Sequence, residues 1–348
     1  MRLIYRAGLA MLIVAGSAVA IRTEVPSDDG EIWVTAQNTS ELKILLGWGG
    51  IETVALQAGA GPHTISFSPD GSYAYVSNLG NGDLIVVRAD DRQIVATLDL
   101  GATFTHQTQP SPDGSILLSA NRDTGMLTKI AADEEAETWA AVGSLNLTEV
   151  TGRGPMCVAY RADGQRAYVS LFGAAGGIAL VDVPTMTFLG VWPTAGSVSG
   201  CGIANSRDGR TIFYTSAGGT GHFYRLDTWT DMLTEDAGYG PIGANLHGLV
   251  VSANEKHAYV SAARTDDVDE IKVLNLTSHE VSTISLNRRA GISDVPDSIA
   301  RRGSNIYVTL RFAGQVARIK AQTGTVDYID VAPPATTGWA IHGIAVRP

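Results

Sequence analysis

The sequence is poor in charged and aromatic residues and almost lacks cysteine. Of its 348 residues 17% are charged, 7% are aromatic and only two are cysteines, which excludes a small fold held by several disulfides. Basic residues are also scarce, with 25 Lys and Arg against 35 Asp and Glu and a net charge of -10. We expect no nucleic-acid partner, because such binding requires a basic surface that displaces counterions from phosphates. With 45% hydrophobic residues, the chain can build a full globular core.

The sequence has no apolar run long enough to cross a bilayer. Its N-terminus carries Arg2 and Arg6, an apolar stretch at residues 7–16 and small residues at 18–20. This order is typical of a secretory signal peptide, whereas a membrane-spanning helix needs about 20 apolar residues. We therefore expect a signal peptide at residues 1–20 and one exported domain at residues 21–348, periplasmic or secreted and without membrane insertion.

A degenerate repeat runs through the rest of the sequence. Residues 61–71 and 105–114 both end in Ser-Pro-Asp-Gly, and weaker copies occupy residues 154–164, 200–209 and 246–254. Each copy is an alternating strand that ends in a tight turn, where Asp, Asn and Gly are favoured. A second strand containing Tyr-Val-Ser or a variant follows, and two shorter strands complete the unit. Four strands in about 43 to 50 residues are typical of a β-propeller blade.

The two ends of the sequence predict one composite blade. A first-strand pattern at residues 341–346 has no partner strands after it, whereas residues 32–35, 42–46 and 54–56 form later strands without a first strand. Joining them removes open sheet edges. The predicted fold is therefore an all-β, seven-bladed β-propeller of four-stranded antiparallel blades. N-terminal strands and a C-terminal innermost strand close its last blade, and no helix is expected.

These motifs also resemble those of a known family. The Tyr-Val-Ser-Asn sequence at residues 75–78 and the Ser-Pro-Asp-Gly sequences at 68–71 and 111–114 resemble the YVTN-type β-propellers, relatives of the cytochrome d1 and amine dehydrogenase heavy-chain propellers. The resemblance covers essentially the whole exported chain. Members of the family bind haem, metals, lactones, cell-wall partners or nothing known, so the resemblance implies the fold, and function has to be argued from a site.

One column of the aligned repeats contains residues typical of metal ligands. Its seven members, the ring residues, are His63, His106, Met156, Cys201, His247, Asp297 and His342. Four of the seven histidines in the chain lie in this column, where random placement would put fewer than one. Because the column begins the innermost strand of each blade, we expect the seven side chains to converge at one mouth of the central channel.

Converging imidazole, carboxylate and sulfur groups predict a binding site for zinc or copper. We expect His342, His63 and His106 as the main ligands, completed by His247 or Asp297 from across the ring, with Cys201 and Met156 as lesser candidates. Two alternatives are open. The histidines could be ordinary polar residues at strand starts, and a disulfide between Cys157 and Cys201, which an exported protein can keep, would remove Cys201 from any metal site.

Three arginines are expected near the same mouth of the channel. Arg122, Arg264 and Arg311 lie in loops that follow second strands, and guanidinium groups bind carboxylates in a bidentate manner. They are candidate contacts for a small anionic substrate or for the carboxylates of a haem d1-like cofactor. Alternatively, they pair with the neighbouring Asp123, Asp266 or Asp267.

The favoured function is an exported metal-binding propeller that binds or delivers zinc or copper, with a periplasmic protein as a further candidate partner. The sequence contains no nucleophile elbow, P-loop or dinucleotide fingerprint, so whether it is an enzyme stays open. The first alternative is a metal- or haem-dependent enzyme, lactonase- or lyase-like or an oxidoreductase. The second is a protein-interaction scaffold of the cell envelope.

Overall fold

A computed structural model describes residues 30–173, 176–195, 200–263, 269–286, 294–335 and 338–348. The expected signal peptide and Arg264 lie outside these ranges. The described residues form seven four-stranded antiparallel sheets, each of which is one blade. No helix among them is long and apolar enough to cross a membrane.

The chain begins in blade 7 and then runs through blades 1, 2 and 3. Blade 7 starts with β1 (Glu31–Ala36), β2 (Glu41–Leu46) and β3 (Gly50–Ala55). Blade 1 contains β4 (Pro62–Phe67), β5 (Tyr73–Asn78), β6 (Asp83–Arg88) and β7 (Ile94–Asp99). Blade 2 contains β8 (Thr105–Pro110), β9 (Ile116–Asn121), β10 (Met126–Asp133) and β11 (Thr138–Asn146), and helix α1 (Leu147–Thr151) follows it. Blade 3 contains β12 (Gly154–Tyr160), β13 (Arg166–Phe172), β14 (Ile178–Asp182) and β15 (Thr187–Trp192).

The remaining blades repeat this arrangement. Blade 4 contains β16 (Gly202–Asn205), β17 (Thr211–Thr215), β18 (Phe223–Asp227) and β19 (Met232–Glu235). Blade 5 contains β20 (Leu246–Val251), β21 (His257–Ala263), β22 (Asp269–Asn275) and β23 (Val281–Ser285). Blade 6 contains β24 (Pro296–Arg302), β25 (Asn305–Leu310), β26 (Gln315–Lys320) and β27 (Val326–Asp330). Strand β28 (Ile344–Val346) completes blade 7.

The first strands of the blades form a closed inner ring. Each contacts the first strands of both neighbouring blades, in the order β4, β8, β12, β16, β20, β24, β28 and back to β4. Strand β28 pairs antiparallel with β1, with Ile344 opposite Val34. The prediction of a seven-bladed propeller closed by strands from both ends of the chain is therefore confirmed.

Two local features differ from the prediction. Strand β3 begins at Gly50, earlier than expected, because Leu46 already pairs with Gly50 and the glycine-rich turn is shorter than its composition indicates. Helix α1 is not expected from periodicity, and its ends are set by local capping. The Asn146 side chain accepts a hydrogen bond from the Glu149 N–H, and Gly152 ends the helix in the left-handed conformation.

Buried tyrosines of the second strands pack between the blades. Tyr75 and Tyr168 have no exposed surface. Their hydroxyl groups reach the next blade: Tyr75 donates to the Glu134 carboxylate at 2.7 Å and Tyr168 to Asp231 at 2.6 Å. Buried tyrosines usually find such partners for their hydroxyl groups. The repeated Tyr-Val-Ser pattern thus packs neighbouring blades together and fixes the wall behind the ring.

Candidate metal centre

In five blades the ring residue lies in a β-bulge of the innermost strand. The register with the second strand shifts between Pro62 and Thr64 in blade 1 and between Thr105 and Gln107 in blade 2, and blades 3, 5 and 6 have the same irregularity. A bulge breaks the alternation of side chains and redirects one of them. It provides the local reason why these polar side chains leave the regular strand pattern at this point.

Hydroxyl groups of the second strands hold the bulged backbone. Thr309 Oγ1 accepts a hydrogen bond from the Ser298 N–H of its own blade at 3.1 Å and donates to the His342 carbonyl of the next blade at 2.7 Å. Two more hydroxyls make the same bridge: Thr35 from the Gly343 N–H to the His63 carbonyl, and Ser261 from the Gly248 N–H to the Asp297 carbonyl. In these three cases the ring backbone is fixed by a side chain from the preceding blade.

Three ring residues from blades 5, 6 and 7 form a group that could hold a metal ion. The ligand atoms of His247, Asp297 and His342 lie within 4.8 Å of one another. Asp297 Oδ1 is 2.5 Å from His247 Nδ1, and Asp297 Oδ2 is 3.2 Å from His342 Nε2. Asp297 and His342 are buried, whereas the His247 side chain keeps 24% of its surface exposed. The group is thus open to solvent on the His247 side.

The second nitrogen of His342 determines how this imidazole is oriented. Its Nδ1 lies 3.0 Å from the His63 carbonyl, and a carbonyl can only accept, so Nδ1 carries the hydrogen. In the neutral imidazole Nε2 then presents a lone pair toward the Asp297 carboxylate. This lone pair is available to a cation, although the oxygen it faces, Oδ2, already accepts from Arg311. A backbone carbonyl that accepts from the other ring nitrogen is a common support for metal-ligating histidine.

Burial keeps the ring histidines neutral. It lowers the pKa of His106 and of His247 to about 3, and it holds the pKa values of His63 and His342 well below their usual range. The neighbouring histidines and Arg311 lower the pKa values of His63 and His342 further. Neutral imidazole is the form that binds metal ions.

Arg311 neutralises the carboxylate of this group. Its guanidinium Nε and Nη2 both contact Asp297 Oδ2, and it lies 4.2 Å from the centre of the Trp339 ring. Burial lowers the pKa of Arg311 to about 10. Asp297 Oδ1 accepts no hydrogen bond despite its close approach to His247. The carboxylate thus keeps one oxygen for a further ligand, while Arg311 occupies the other.

The second group that could hold a metal ion contains both cysteines. His106, Cys157 and Cys201, from blades 2, 3 and 4, place their ligand atoms within 4.8 Å of one another. Cys157 and Cys201 form a disulfide with their Cα atoms 5.4 Å apart, and His106 Nδ1 lies 3.8 Å from each sulfur. The alternative left open by the sequence is thereby resolved: Cys201 is a disulfide sulfur, whereas a metal ligand has to be a thiolate.

His63 lies between the two groups. Its ring stacks on the His342 ring, with 3.7 Å between the ring centres, and meets the His106 ring edge-on, with 4.7 Å between the centres. It is 1% exposed, and neither ring nitrogen has a hydrogen-bond partner. An unpaired buried polar group costs about 1–3 kcal/mol. The two ring nitrogens of His63 are therefore free to bind a ligand that the protein itself does not provide.

Both groups open onto the same small cavity. It has a volume of about 130 Å³, and its lining includes His106, Cys157, Cys201, His247 and His342. Met156, the ring residue of blade 3, is 3% exposed and belongs to neither group. The structure therefore brings His247, Asp297 and His342 together, and sets His106 beside the cysteines rather than beside His342.

Arg122 lies near the ring without an acidic partner. Its guanidinium sits between the rings of Phe104 and Phe172, at 4.0 and 4.7 Å from their centres. Within the described ranges it makes no ion pair, because the Asp123 carboxylate accepts hydrogen bonds from the backbone and hydroxyl of Thr103 instead. Phe104 in turn contacts His63 at 5.1 Å. Arg122 is thus a half-buried cation whose guanidinium N–H groups are available to bind an anion.

Sequence reasoning does not place three of the residues around the ring. Phe104 and Trp339 contact His63 from the loops that lead into the innermost strands, and the repeat pattern contains no signal for them. Cys157 falls one position after the ring column, yet it joins the second group because the bulge in β12 places Met156 and Cys157 together opposite the second strand. The sequence signal that could have placed Cys157 at the ring is its position directly beside the column.

Fold and site together define a seven-bladed β-propeller with two groups of side chains that could hold metal ions at the mouth of its channel. No protein-family model and no curated protein sequence matches the chain. Solved propellers resemble it in fold. Dihydro-heme d1 dehydrogenase NirN in complex with DHE is 14% identical with a TM-score of 0.62, over 93% of this chain and 76% of that one.

Two further structures show the same likeness. Virginiamycin B lyase from Staphylococcus aureus is 13% identical, with a TM-score of 0.61 over 82% of this chain and 89% of that one. A functionally unknown protein from Desulfotomaculum acetoxidans is 14% identical, with a TM-score of 0.65 over 90% of this chain and 99% of that one. At this level of identity the likeness establishes the propeller fold, and the chemistry has to come from the ring.

Proposed function

We propose that the chain is an exported metal-binding propeller that holds one zinc ion through His247, Asp297 and His342. The observation that carries this proposal is the convergence of the three ligand atoms within 4.8 Å of one another, with His342 Nδ1 tied to a backbone carbonyl so that Nε2 faces the group. Asp297 Oδ1, which accepts no hydrogen bond, is the carboxylate oxygen available to a divalent cation. Two imidazoles and one carboxylate are a usual zinc ligand set that leaves a coordination position open.

The charge of the group favours an anion at that open position. Asp297 is balanced by Arg311 and the histidines are neutral, so a bound zinc ion would leave about two unbalanced positive charges in a buried site, where unpaired charge is costly. Hydroxide or a small carboxylate would reduce this cost. Arg122 has no ion-pair partner among the described residues, and its charge acts on His63 and His106. We propose it as a contact for a small anionic substrate that extends from the zinc position toward His63.

Metal analysis of the exported chain, purified without a metal-binding tag, tests the zinc site. Wild type should contain about one zinc per chain, and His342→Ala or His247→Ala should weaken zinc binding at least tenfold. His257→Ala is the matched control, since His257 begins β21 outside the ring. If the protein contained copper or iron in place of zinc, the proposed metal would be wrong but the proposed ligands would stand. A metal-free wild type that also fails to take up zinc, copper or iron would refute the proposal.

Binding of an anion tests the role of Arg122. Oxalate, titrated calorimetrically into the zinc-loaded protein, should bind at least tenfold more weakly to Arg122→Gln than to wild type, because a charge-assisted contact is worth roughly 1.5–3 kcal/mol. Arg301→Gln is the control, because Arg301 lies in blade 6 and its guanidinium donates to the Gly303 carbonyl. Equal oxalate affinity in Arg122→Gln and wild type would remove Arg122 from the site.

A further inference from the structure

We infer that His106, Cys157 and Cys201 form a second metal site that is controlled by oxidation, closed when the cysteines are a disulfide and open when they are reduced. The ion would be thiophilic, zinc or copper(I). This site shares no ligand with the group of the proposed function, so the two can fail independently.

The position of His106 is the first observation behind this inference. Its Nδ1 lies at the same distance, 3.8 Å, from both disulfide sulfurs, and its side chain is buried. A structural disulfide needs no imidazole at its midpoint. Two thiolates and one imidazole, by contrast, are a known three-ligand set for zinc, and thiolate ligands also select copper(I).

The surroundings of the sulfurs are the second observation. Cys157 is buried at 2% exposure, whereas Cys201 is half-buried, and both line the cavity of about 130 Å³ at the channel mouth. A reductant or an ion can therefore approach from the cavity. Strand β12 also contacts β8 and β16, and β16 begins after Cys201, so the three blades are joined by contacts other than the disulfide.

The chemistry of the switch balances with a dithiol as reductant. The Cys157–Cys201 bond breaks, a sulfur–sulfur bond forms within the reductant, and two electrons and two protons pass to the protein sulfurs. When the ion binds, both thiols release their protons to solvent and the ion accepts electron pairs from the two thiolates and His106 Nδ1. A coordinate link between blades 2, 3 and 4 thus replaces a covalent link between blades 3 and 4.

Cobalt(II) provides the test, because thiolate ligands give it an intense near-ultraviolet charge-transfer absorption that nitrogen and oxygen ligands do not. Oxidised wild type and wild type reduced with dithiothreitol, freed of reductant under argon, are titrated with Co²⁺. The reduced protein should bind one more equivalent than the oxidised protein, with the thiolate band. His106→Ala should weaken this extra equivalent at least tenfold, whereas His257→Ala should not change it.

Two results would overturn the inference: no extra equivalent in the reduced protein, or an extra equivalent without the thiolate band. A Cys157→Ser/Cys201→Ser double variant should bind the same amount with and without dithiothreitol, and an extra equivalent there would also overturn it. The wild-type comparison decides the question even if the double variant does not fold. Cobalt bound by the oxidised protein through nitrogen and oxygen ligands reports separately on the proposed zinc site.

Discussion

Replacing Thr309 by valine tests whether the second-strand hydroxyls position the ring. Thr309 is fully buried, and valine keeps its shape but lacks the hydroxyl. The Ser298 N–H and the His342 carbonyl would each lose the hydrogen bond that joins them to this side chain. An unsatisfied buried group costs about 1–3 kcal/mol, so the free energy of unfolding should fall by about 2–4 kcal/mol after partial relaxation.

The same substitution should weaken metal binding, because Ser298 follows Asp297 and the His342 carbonyl belongs to a proposed ligand. Loss of a supporting hydrogen bond typically weakens metal affinity 10- to 100-fold. Urea unfolding of the metal-free protein and a zinc competition titration measure the two effects. Thr283→Val, on an exposed position of β23, is the control and should change stability by less than about 0.5 kcal/mol. If Thr309→Val matches this control in both assays, the hydroxyl bridges do not position the ring.

Two further predictions concern the charges of the ring. Between pH 7.5 and 5.5 the metal-free protein should lose about 4 kcal/mol of unfolding free energy, about 1.4 kcal/mol for each of the buried His63, His106 and His342. His247 is left out of this sum because its side chain is partly exposed. The unfolded chain takes up protons in this range, whereas burial holds the folded pKa values below it. Urea unfolding at both pH values measures this loss. If the unfolding free energy of His106→Gln fell as much between the two pH values as that of wild type, the prediction would be wrong. Arg311→Met should destabilise the metal-free protein by about 3 kcal/mol, because it removes the partner of the buried Asp297. Saturating zinc should restore part of this loss, and thermal unfolding without any zinc-dependent recovery would argue against Asp297 as a ligand.

The fold is predictable because the repeat encodes it locally. Each Ser-Pro-Asp-Gly turn carries its own hydrogen bonds, for example from the Ser68 hydroxyl and the Ser72 N–H to Asp70, and alternating apolar residues define the strands on both sides. The closure of blade 7 follows from counting strands at the two ends. Helix α1 escapes prediction because a single capping side chain, that of Asn146, determines it rather than a periodic pattern.

Only part of the ring chemistry can be predicted from the sequence. Alignment of the repeats identifies the column, because equivalent positions of a propeller face the same axis. It cannot show that Arg311 reaches across to Asp297, that Arg122 avoids Asp123, or that the bulge in β12 brings Cys157 to the cavity. These depend on side-chain directions set by irregular backbone and by loops of neighbouring blades, which a sequence column does not contain.

The two groups come from two sets of three adjacent blades. One ion cannot reach seven positions around a channel, so donors can act together only when their blades are adjacent. Blades 5, 6 and 7 provide one group and blades 2, 3 and 4 the other, with Cys157 in place of the ring residue Met156 in blade 3. Blade 1 is thereby left without a group. The ring residue of blade 1 is His63, which contacts both groups through His342 and His106 while its own nitrogens stay unpaired. The cost of burying it unpaired is most simply explained if His63 separates two centres of different donor chemistry, one of imidazole and carboxylate and one of imidazole and sulfur.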